Sequence, residues 1–166
     1  MLSELALRAA AITGGSLTRL LVNDRADIAH AAGADGVHLT AQSLPAAVVR
    51  QTFGADFLIG VSTHSFAEVR AALKGGADLA VFGPVFETTS KRIYGAPVGL
   101  EKLKEAAHKL APFPILALGG ITLNNAMNCI AAGASGIAAI GLFTDPENLA
   151  TVVETVARSS GVDEQP

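Results

Sequence analysis

The sequence predicts an α/β fold of the β/α-barrel type, in which parallel strands alternate with helices. One observation is the apolar run at 113–118, which is followed directly by Gly119 and Gly120. A parallel strand that is buried on both faces needs such a continuous apolar run. A second observation is a recurring junction, in which a helix ends at a glycine and a short polar turn leads into a strand. This junction occurs at 32–37, 75–80 and 132–137.

Six apolar runs bounded by turn residues predict six strands. These strands are 19–22, 36–39, 57–62, 79–82, 113–118 and 136–140. Seven helices alternate with them. The predicted helices are 2–13, 25–32, one beginning at 43–45, one beginning at 65, 100–110, 124–132 and 146–158.

Several of the predicted helices have recognisable ends. The first helix stops at Gly14, and its apolar face consists of Leu2, Leu5, Ala6, Ala9 and Ala10. Ser65 and Glu68 have the spacing of a capping box at the start of the fourth helix. Asp145 and Pro146 are suited to the N-cap and first position of the last helix.

The strand count is short of a closed barrel. A β/α barrel has eight strands in typically about 250 residues, or about 200 at the compact end. This chain has 166 residues and opens on a helix. We therefore expect a single barrel-type domain at 1–158 that lacks an N-terminal β-α-β segment, followed by a flexible tail at 159–166. An open sheet edge needs covering, and a homodimer would cover it.

Composition argues against several classes of function. The net charge is −3 and there are no basic runs, so nucleic-acid binding has no electrostatic footprint. No apolar run has the length of a membrane span, and the first residues lack the charged region of a signal peptide, so we expect a cytoplasmic protein. The single Cys129 lies among apolar residues, which favours a buried hydrophobic side chain over a nucleophile.

Two consecutive strands are followed by glycine, at Gly119-Gly120 and at Gly141. In a β/α barrel, backbone N–H groups and a helix N-terminus at the carboxyl ends of neighbouring strands form a phosphate site. Glycine allows the backbone to approach such a ligand closely. The alternative is that these glycines only make tight turns between strand and helix.

Polar side chains follow the other predicted strands, where the active sites of β/α barrels are found. They are Asn23, Asp24, Arg25, Thr40, Ser43, Ser62, Thr63 and His64. Asp24 is suited to a divalent metal or a cationic group, or alternatively to capping the next helix. Arg25 either pairs with a phosphate or is a solvated first-turn residue. The hydroxyl of Ser62 is placed to bind phosphate.

His64 is a candidate for proton transfer near neutral pH. The capping position beside it is filled by Ser65, which leaves the imidazole available. A hydrogen-bonded structural histidine is the alternative.

The long loop 83–99 is the remaining candidate. Three hydroxyls and two cations lie within five residues at 88–92, a composition typical of an anion site with Lys91 as the charge. Long loops in compact folds are usually functional, and the glycines around Tyr94 would let this loop move as a lid. The sequence contains no metal-ligand cluster of His and Cys, no nucleophile elbow and no P-loop.

Six short motifs occur in order along nearly the whole chain. They are Val22-Asn23-Asp24-Arg25, Ala34-Asp35-Gly36-Val37-His38-Leu39, Gly60-Val61-Ser62-Thr63-His64-Ser65, Gly83-Pro84-Val85-Phe86, Thr88-x-Ser90-Lys91 and Gly119-Gly120-Ile121-Thr122. Together they resemble the thiamine phosphate synthase/TenI family of (β/α)8 barrels.

The resemblance implies a role in thiamine biosynthesis. The synthase of that family joins a hydroxymethylpyrimidine pyrophosphate to a thiazole phosphate and releases pyrophosphate with Mg²⁺. By position, Asp24 would bind the metal, and Gly120 and Gly141 would cradle the thiazole phosphate. The candidate substrate- and phosphate-binding residues are Asn23, Arg25, Ser62, Thr88, Ser90, Lys91, Gly119, Gly120 and Gly141.

The chain departs from the synthase pattern in three places. Ser43 stands where that pattern has a second metal-binding aspartate, and a hydroxyl is a poor replacement for a carboxylate on Mg²⁺. The strand expected to grip the pyrophosphate with basic residues falls in the N-terminal segment that the strand count leaves out. Gly141 stands where the family often has serine, so one hydroxyl contact is lost.

Ser43 and Phe86-Glu87-Thr88 are more similar to the TenI branch of thiazole tautomerases. In that branch, a histidine at the position of His64 acts as acid and base, and no metal is needed. We therefore expect a thiamine-pathway enzyme that acts on thiazole phosphate, with TenI-like proton transfer at His64. The alternatives are a Mg²⁺-dependent thiamine phosphate synthase, which Asp24 favours, and a non-catalytic phosphate-binding paralogue.

Overall fold

The computed structural model describes residues 1–88 and 96–159, and in these ranges strands and helices alternate as predicted. The strands are β1 (Leu21–Asn23), β2 (Gly36–Leu39), β3 (Leu58–Thr63), β4 (Leu79–Phe82), β5 (Ile115–Leu118) and β6 (Gly136–Ala138). The helices are α1 (Leu2–Thr13), α2 (Ala26–Ala31), α3 (Ala46–Phe53), α4 (Phe66–Lys74), α5 (Gly99–Lys109), α6 (Leu123–Ala131) and α7 (Leu149–Ser159). A short 3₁₀ helix, Gly141–Phe143, precedes α7. None of the described helices has the length and apolar content needed to cross a bilayer.

The strands are neighbours in one sheet in the order of the chain, from β1 to β6. The pairs β1/β2, β2/β3 and β5/β6 are parallel, as the α/β prediction requires. The chain divides into two compact units. Unit 1 is Met1–Thr63 with Arg70–Ala80, and unit 2 is His64–Val69 with the described part of Val81–Pro166. The boundary between the units divides both α4 and β4. The single domain that the sequence predicts stays a prediction.

Each unit buries apolar side chains from its strands and helices. Unit 1 has a core at most 2% exposed, formed by Ala29, Val37, Leu39, Val49 and Ile59. Unit 2 has an equally buried core, formed by Phe82, Val85, Leu103, Ile115 and Cys129. Cys129 is thus confirmed as a buried hydrophobic side chain, and burial raises the pKa of its thiol to about 11. Such a thiol stays protonated and unreactive near neutral pH.

Helix α1 has the predicted bounds but not the predicted buried face. Ala6 is buried and Ala9 and Ala10 are half-buried, whereas Leu2 and Leu5 are 46% and 56% exposed. The buried side of α1 is therefore narrower than the spacing of its apolar residues predicted.

The start of the last helix also differs from the prediction. The Asp145 carboxylate accepts the backbone N–H of Glu147 at 3.1 Å and the side-chain amide of Asn148 at 2.7 Å, which forms a turn before the helix. The Val152 N–H donates to the Asn148 carbonyl at 3.0 Å. Asp145 is therefore not the N-cap, and α7 begins three residues after the predicted position.

The three recurring junctions share one hydrogen-bond pattern, and their glycines have a left-handed backbone. Gly33, Gly76 and Gly133 have φ of 68°, 79° and 95°. At the first junction, the Gly33 N–H donates to the His30 carbonyl and the Ala34 N–H donates to the Ala29 carbonyl. The same two bonds recur at the junctions of Gly76 and Gly133. This is a Schellman motif, which satisfies the last carbonyls of a helix and favours glycine because of its positive φ.

Two residues after each of these glycines, a polar side chain accepts an amide N–H at or just before the start of the preceding strand. Asp35 accepts the Leu20 N–H at 2.7 Å, and Asp78 accepts the Ile59 N–H at 2.7 Å. Ser135 is at 3.4 Å from the Ile115 amide nitrogen. The Leu20 amide, together with the Arg19 guanidinium, lowers the pKa of the Asp35 carboxyl. The junction therefore ends a helix and joins two neighbouring strands at their amino ends.

Arg50 at the end of α3 holds the loop around the second junction. Its guanidinium donates to the Asp78 carboxylate at 2.6 Å and to the Gly76 carbonyl at 3.0 Å. It also lies within 3.0 Å of the carbonyls of Gly54, Ala55 and Phe57. The Arg50 side chain is 21% exposed, so these contacts are partly shielded from water. Nothing in the local pattern around Arg50 predicted this role.

We expect Arg50→Lys to lower the free energy of unfolding by about 2 kcal/mol, because an ammonium cannot reach the diverging acceptors that the guanidinium fork serves. Urea unfolding followed by circular dichroism measures this loss. The control is Arg8→Lys on the exposed side of α1, which should change stability by less than about 0.5 kcal/mol. Equal effects of the two substitutions would contradict the role of Arg50.

Candidate phosphate and metal sites

In unit 1, Asp24 lies directly after β1 in a strained conformation. Its φ is 64°, and among the described residues it is the one non-glycine with positive φ. Such a conformation costs an L-residue free energy and is common at functional sites. Helix α2 begins at Ala26 after Arg25 and has no side-chain cap, so the alternative of Asp24 as an N-cap is wrong.

Ser43 orients the Asp24 carboxylate. The Ser43 hydroxyl donates to Asp24 Oδ1 at 2.5 Å and accepts the Thr40 N–H at 2.8 Å. Asp24 and Ser43 line a cavity of about 510 Å³, whose apolar wall includes Leu44, Val48 and Phe53. The loop after β2 thus places a hydroxyl against the carboxylate that follows β1.

The donor set at Asp24 is small for a divalent metal. No group of three or more His, Cys, Asp or Glu side chains able to hold a metal occurs in the described part of the chain. The Asp24 carboxylate has the Ser43 hydroxyl beside it, and the Asp27 carboxylate that lines the same cavity is paired with Arg25. Mg²⁺ is commonly held by one or two carboxylates together with phosphate oxygens of a substrate. The residues present therefore fit a Mg²⁺ ion that is shared with a bound pyrophosphate.

Asn23 and Arg25 flank Asp24 but have different surroundings. The Arg25 N–H donates to the Asn23 carbonyl at 2.8 Å, and both side chains are exposed. The Arg25 guanidinium forms two hydrogen bonds to the Asp27 carboxylate, at 2.8 and 2.5 Å. This pairing raises the pKa of Arg25 and lowers that of Asp27 to about 2. Arg25 is therefore paired with Asp27 at the N-cap position of α2, and its binding of phosphate stays a prediction.

Ser62 on β3 is bonded to a histidine that the sequence analysis did not single out. Its Oγ lies 2.8 Å from Nε2 of His38 on β2. The imidazole is half-buried, and burial lowers the pKa of His38. The signal that could have located it is the polar residue within the apolar strand 36–39, directly beside a strand that carries Ser62.

His64 in unit 2 is exposed and held at two points. Its ring nitrogen Nδ1 is hydrogen-bonded to the Gly83 carbonyl, and its backbone N–H donates to the Glu68 carboxylate at 2.6 Å. The Ser65 hydroxyl is 3.3 Å from the Glu68 amide nitrogen, so one half of the predicted capping box is present. Because a carbonyl only accepts, Nδ1 carries a hydrogen, and in the neutral imidazole this leaves the lone pair on Nε2.

Gly119 and Gly120 make a turn that a side chain would obstruct. Their φ values are 98° and 63°. A Cβ at Gly119 would lie 2.5 Å from Pro84 Cβ, and a Cβ at Gly120 would lie 2.6 Å from the Glu87 carbonyl oxygen. The sequence predicts a close approach of this turn to a ligand, whereas the described structure shows a close approach to the segment after β4.

A cavity of about 350 Å³ lies over this turn. It is lined by Thr88, Leu118, Gly119, Gly120, Ile121, Ala139, Ile140, Gly141 and Leu142. Gly120, Ile121 and Gly141 bring backbone N–H groups to the lining of this cavity. A cavity bounded by such donors has the groups that bind a phosphate.

Asn125, a further residue that the sequence analysis missed, stabilises the turn from within α6. The side-chain NH₂ group of Asn125 donates to the Gly120 carbonyl at 2.9 Å. The side-chain carbonyl oxygen of Asn125 accepts the Thr122 N–H at 2.8 Å. The side chain thus ties the glycine turn to the first turn of α6. The predicted phosphate ligands Ser90 and Lys91 lie outside the described residues.

The alternation of strands and helices places the chain among α/β proteins of the TIM-barrel type, and a solved structure supports that class. A thiamine phosphate pyrophosphorylase from Pyrococcus furiosus matches with a TM-score of 0.83 and 29% identity, over 96% of this chain and 75% of that one. The sequence profile described as thiamine monophosphate synthase matches residues 1–143. The chain belongs to the thiamine monophosphate synthase family.

Curated relatives in this family carry the name thiamine-phosphate synthase. The protein from Chlorobium limicola is 48% identical over 130 residues, which are 76% of this chain and 61% of that protein. The protein from Halalkalibacterium halodurans is 38% identical over 146 residues, which are 86% of this chain and 69% of that protein. The chain therefore spans about two thirds of the length of these relatives.

We expect Gly119→Ala to lower the free energy of unfolding by about 2–4 kcal/mol, because its methyl group would overlap Pro84 and its φ would be strained. Gly141→Ala is the matched control from the same cavity. No atom lies within 4 Å of a Cβ at Gly141, and its φ is outside the left-handed region. Thermal unfolding compares the two variants, and equal melting temperatures would contradict this account of Gly119.

The strain at Asp24 is tested by two substitutions that both remove its carboxylate. Asp24→Ala keeps a Cβ at positive φ, whereas Asp24→Gly does not. We expect the alanine variant to be about 1 kcal/mol less stable than the glycine variant in urea unfolding. A glycine variant that is equally or less stable would show that the backbone at position 24 is not strained.

Proposed function

We propose that this chain carries the thiamine phosphate synthase reaction, in which a hydroxymethylpyrimidine pyrophosphate is joined to a thiazole phosphate. The names of its curated relatives support the synthase, which the sequence analysis placed second. They give no support to the thiazole tautomerase that the sequence analysis favoured.

The observation that carries the proposal is the strained, oriented carboxylate of Asp24. A residue held at a φ of 64° that caps no helix needs another explanation for its position. A ligand bound by the carboxylate supplies one. Ser43 keeps that carboxylate in one orientation through a 2.5 Å hydrogen bond.

Asp24 would hold a Mg²⁺ ion, with Ser43 beside it. When bound, Mg²⁺ neutralises charge that develops on the departing pyrophosphate. The Ser62 hydroxyl would donate a hydrogen bond to a pyrophosphate oxygen, as the resemblance implies for its position. Because the Asp27 carboxylate in the same cavity is paired with Arg25, metal binding at Asp24 would depend on oxygens of the pyrophosphate.

The thiazole phosphate would bind in the cavity of unit 2. The N–H groups of Gly120, Ile121 and Gly141 would donate to its oxygens, and Asn125 would keep the turn rigid through the Gly120 carbonyl. Backbone donors are suited to this task because they are fixed before the ligand arrives.

The proposed reaction breaks one bond and forms one. The bond between the pyrimidine methylene carbon and the pyrophosphate oxygen breaks, and its electron pair leaves with pyrophosphate. The lone pair of the thiazole nitrogen then forms the new carbon–nitrogen bond. No proton transfer by a side chain is needed in these steps, so His64 is not essential to them.

A second candidate is proton transfer on a thiazole carboxylate phosphate, and the geometry of His64 favours it. The Gly83 carbonyl holds Nδ1, which leaves the Nε2 lone pair of an exposed imidazole available as a base. That reaction would need no metal and no Asp24.

The two candidates are separated by assays on the same set of variants. With both synthase substrates and Mg²⁺, we expect the chain to form thiamine phosphate and pyrophosphate in equal amounts. In excess EDTA, we expect it to form neither product. Asp24→Asn should lower the rate about 100-fold or more, because the metal loses its carboxylate. The matched control is Asp56→Asn, which changes an exposed carboxylate and should leave the rate unchanged.

The outcome that would overturn the synthase is isomerisation of the thiazole carboxylate phosphate in EDTA, abolished by His64→Ala and retained in Asp24→Asn. Binding of thiazole phosphate in calorimetry, with neither reaction, would identify a non-catalytic phosphate-binding protein.

A further inference from the structure

Strands β2 and β3 carry a histidine and a serine on one face of the sheet in unit 1. His38 is in register with Gly60, and Ser62 lies two residues further along β3. Since side chains two residues apart on a strand share a face, His38, Gly60 and Ser62 lie on the same side. The contact that results is the 2.8 Å hydrogen bond between His38 Nε2 and Ser62 Oγ.

The chain leaves room for this imidazole by having glycine opposite it. A Cβ at Gly60 would lie 2.8 Å from His38 Nδ1, and 3.2 Å from the Leu79 side chain. Gly60 has an ordinary extended backbone, so the absence of a side chain is what the position requires. Glycine weakens a strand interior, and its presence here marks a close approach.

Burial lowers the pKa of His38, which favours the neutral form of its imidazole. A neutral imidazole has one N–H donor and one lone pair. If Nε2 carries the hydrogen, it donates to Ser62 Oγ, and the serine hydroxyl hydrogen is free to donate to a ligand. If Nδ1 carries the hydrogen, the serine must donate to Nε2 and has no hydrogen left for an anion.

We propose that His38 is a positioning residue for Ser62, donating its Nε2 hydrogen to Ser62 Oγ so that the serine hydroxyl is directed at an oxygen of the bound pyrophosphate. This inference rests on the proposed function, which makes Ser62 a ligand of that anion. An anion selects this tautomer because only this one provides it with the serine hydrogen. His38 itself touches no substrate.

The test compares two amide substitutions that differ in reach. The amide nitrogen of His38→Gln can occupy the place of Nε2, whereas that of His38→Asn is one methylene short. We expect His38→Asn to weaken the binding of inorganic pyrophosphate with Mg²⁺ about tenfold, and His38→Gln to stay within about threefold of the native chain. Isothermal titration calorimetry measures both, and circular dichroism establishes that both fold.

A double-mutant cycle shows whether His38 acts through Ser62. In a Ser62→Ala background, His38→Asn should cause no further loss of affinity. An equal loss in both backgrounds, or equal affinities of the asparagine and glutamine variants, would overturn the positioning role. Nitrogen-15 NMR spectra of the native chain with bound pyrophosphate show independently which ring nitrogen of His38 carries the hydrogen. A hydrogen on Nε2 is expected, and a hydrogen on Nδ1 would overturn the proposal.

The results expected if the proposed function is wrong differ from those expected if only the role of His38 is wrong. If the native chain binds no pyrophosphate with Mg²⁺, both proposals fall, because Ser62 then faces no anion. If the native chain binds it and makes thiamine phosphate but the cycle is additive, only the role of His38 is lost.

Discussion

The junction between a helix and the strand that follows it is the interaction on which the described structure depends. A glycine at positive φ ends the helix, and a polar side chain two residues later binds an amide of the preceding strand. One short segment therefore satisfies the carbonyls at a helix end and joins two strands. Without it, the last carbonyls of the helix and the first amides of the strand would lack partners, at a cost of about 1–3 kcal/mol for each group left buried.

The junctions stabilise the amino ends of the strands, and this leaves the carboxyl ends for binding. Asp24, Ser62 and Gly119 all lie at or just after a strand's carboxyl end. This division between a stabilising end and a functional end is general among β/α barrels. The backbone of Asp24, with its positive φ, is held by a hydrogen bond from its own N–H to the His38 carbonyl at 2.8 Å.

Ser43 has a different role in the structure from the one that the sequence suggested. As a residue type, it argued against a metal, since a hydroxyl is a weak ligand for Mg²⁺. In the structure its hydroxyl donates to Asp24, so it orients the carboxylate that is present. The departure from the synthase pattern therefore does not by itself favour the tautomerase.

The sequence by itself determined the alternation of strands and helices, the repeated junctions and the burial of Cys129, because these follow from local periodicity and from glycine. It also singled out Asp24, Ser62 and the glycine turn as candidates, since each lies at or just after the carboxyl end of a strand. Only the tertiary structure decided which side chains meet. Arg50 with Asp78, His38 with Ser62, and Ser43 with Asp24 are 28, 24 and 19 residues apart in the chain. No local pattern encodes such pairs, because strand pairing and helix packing bring them together.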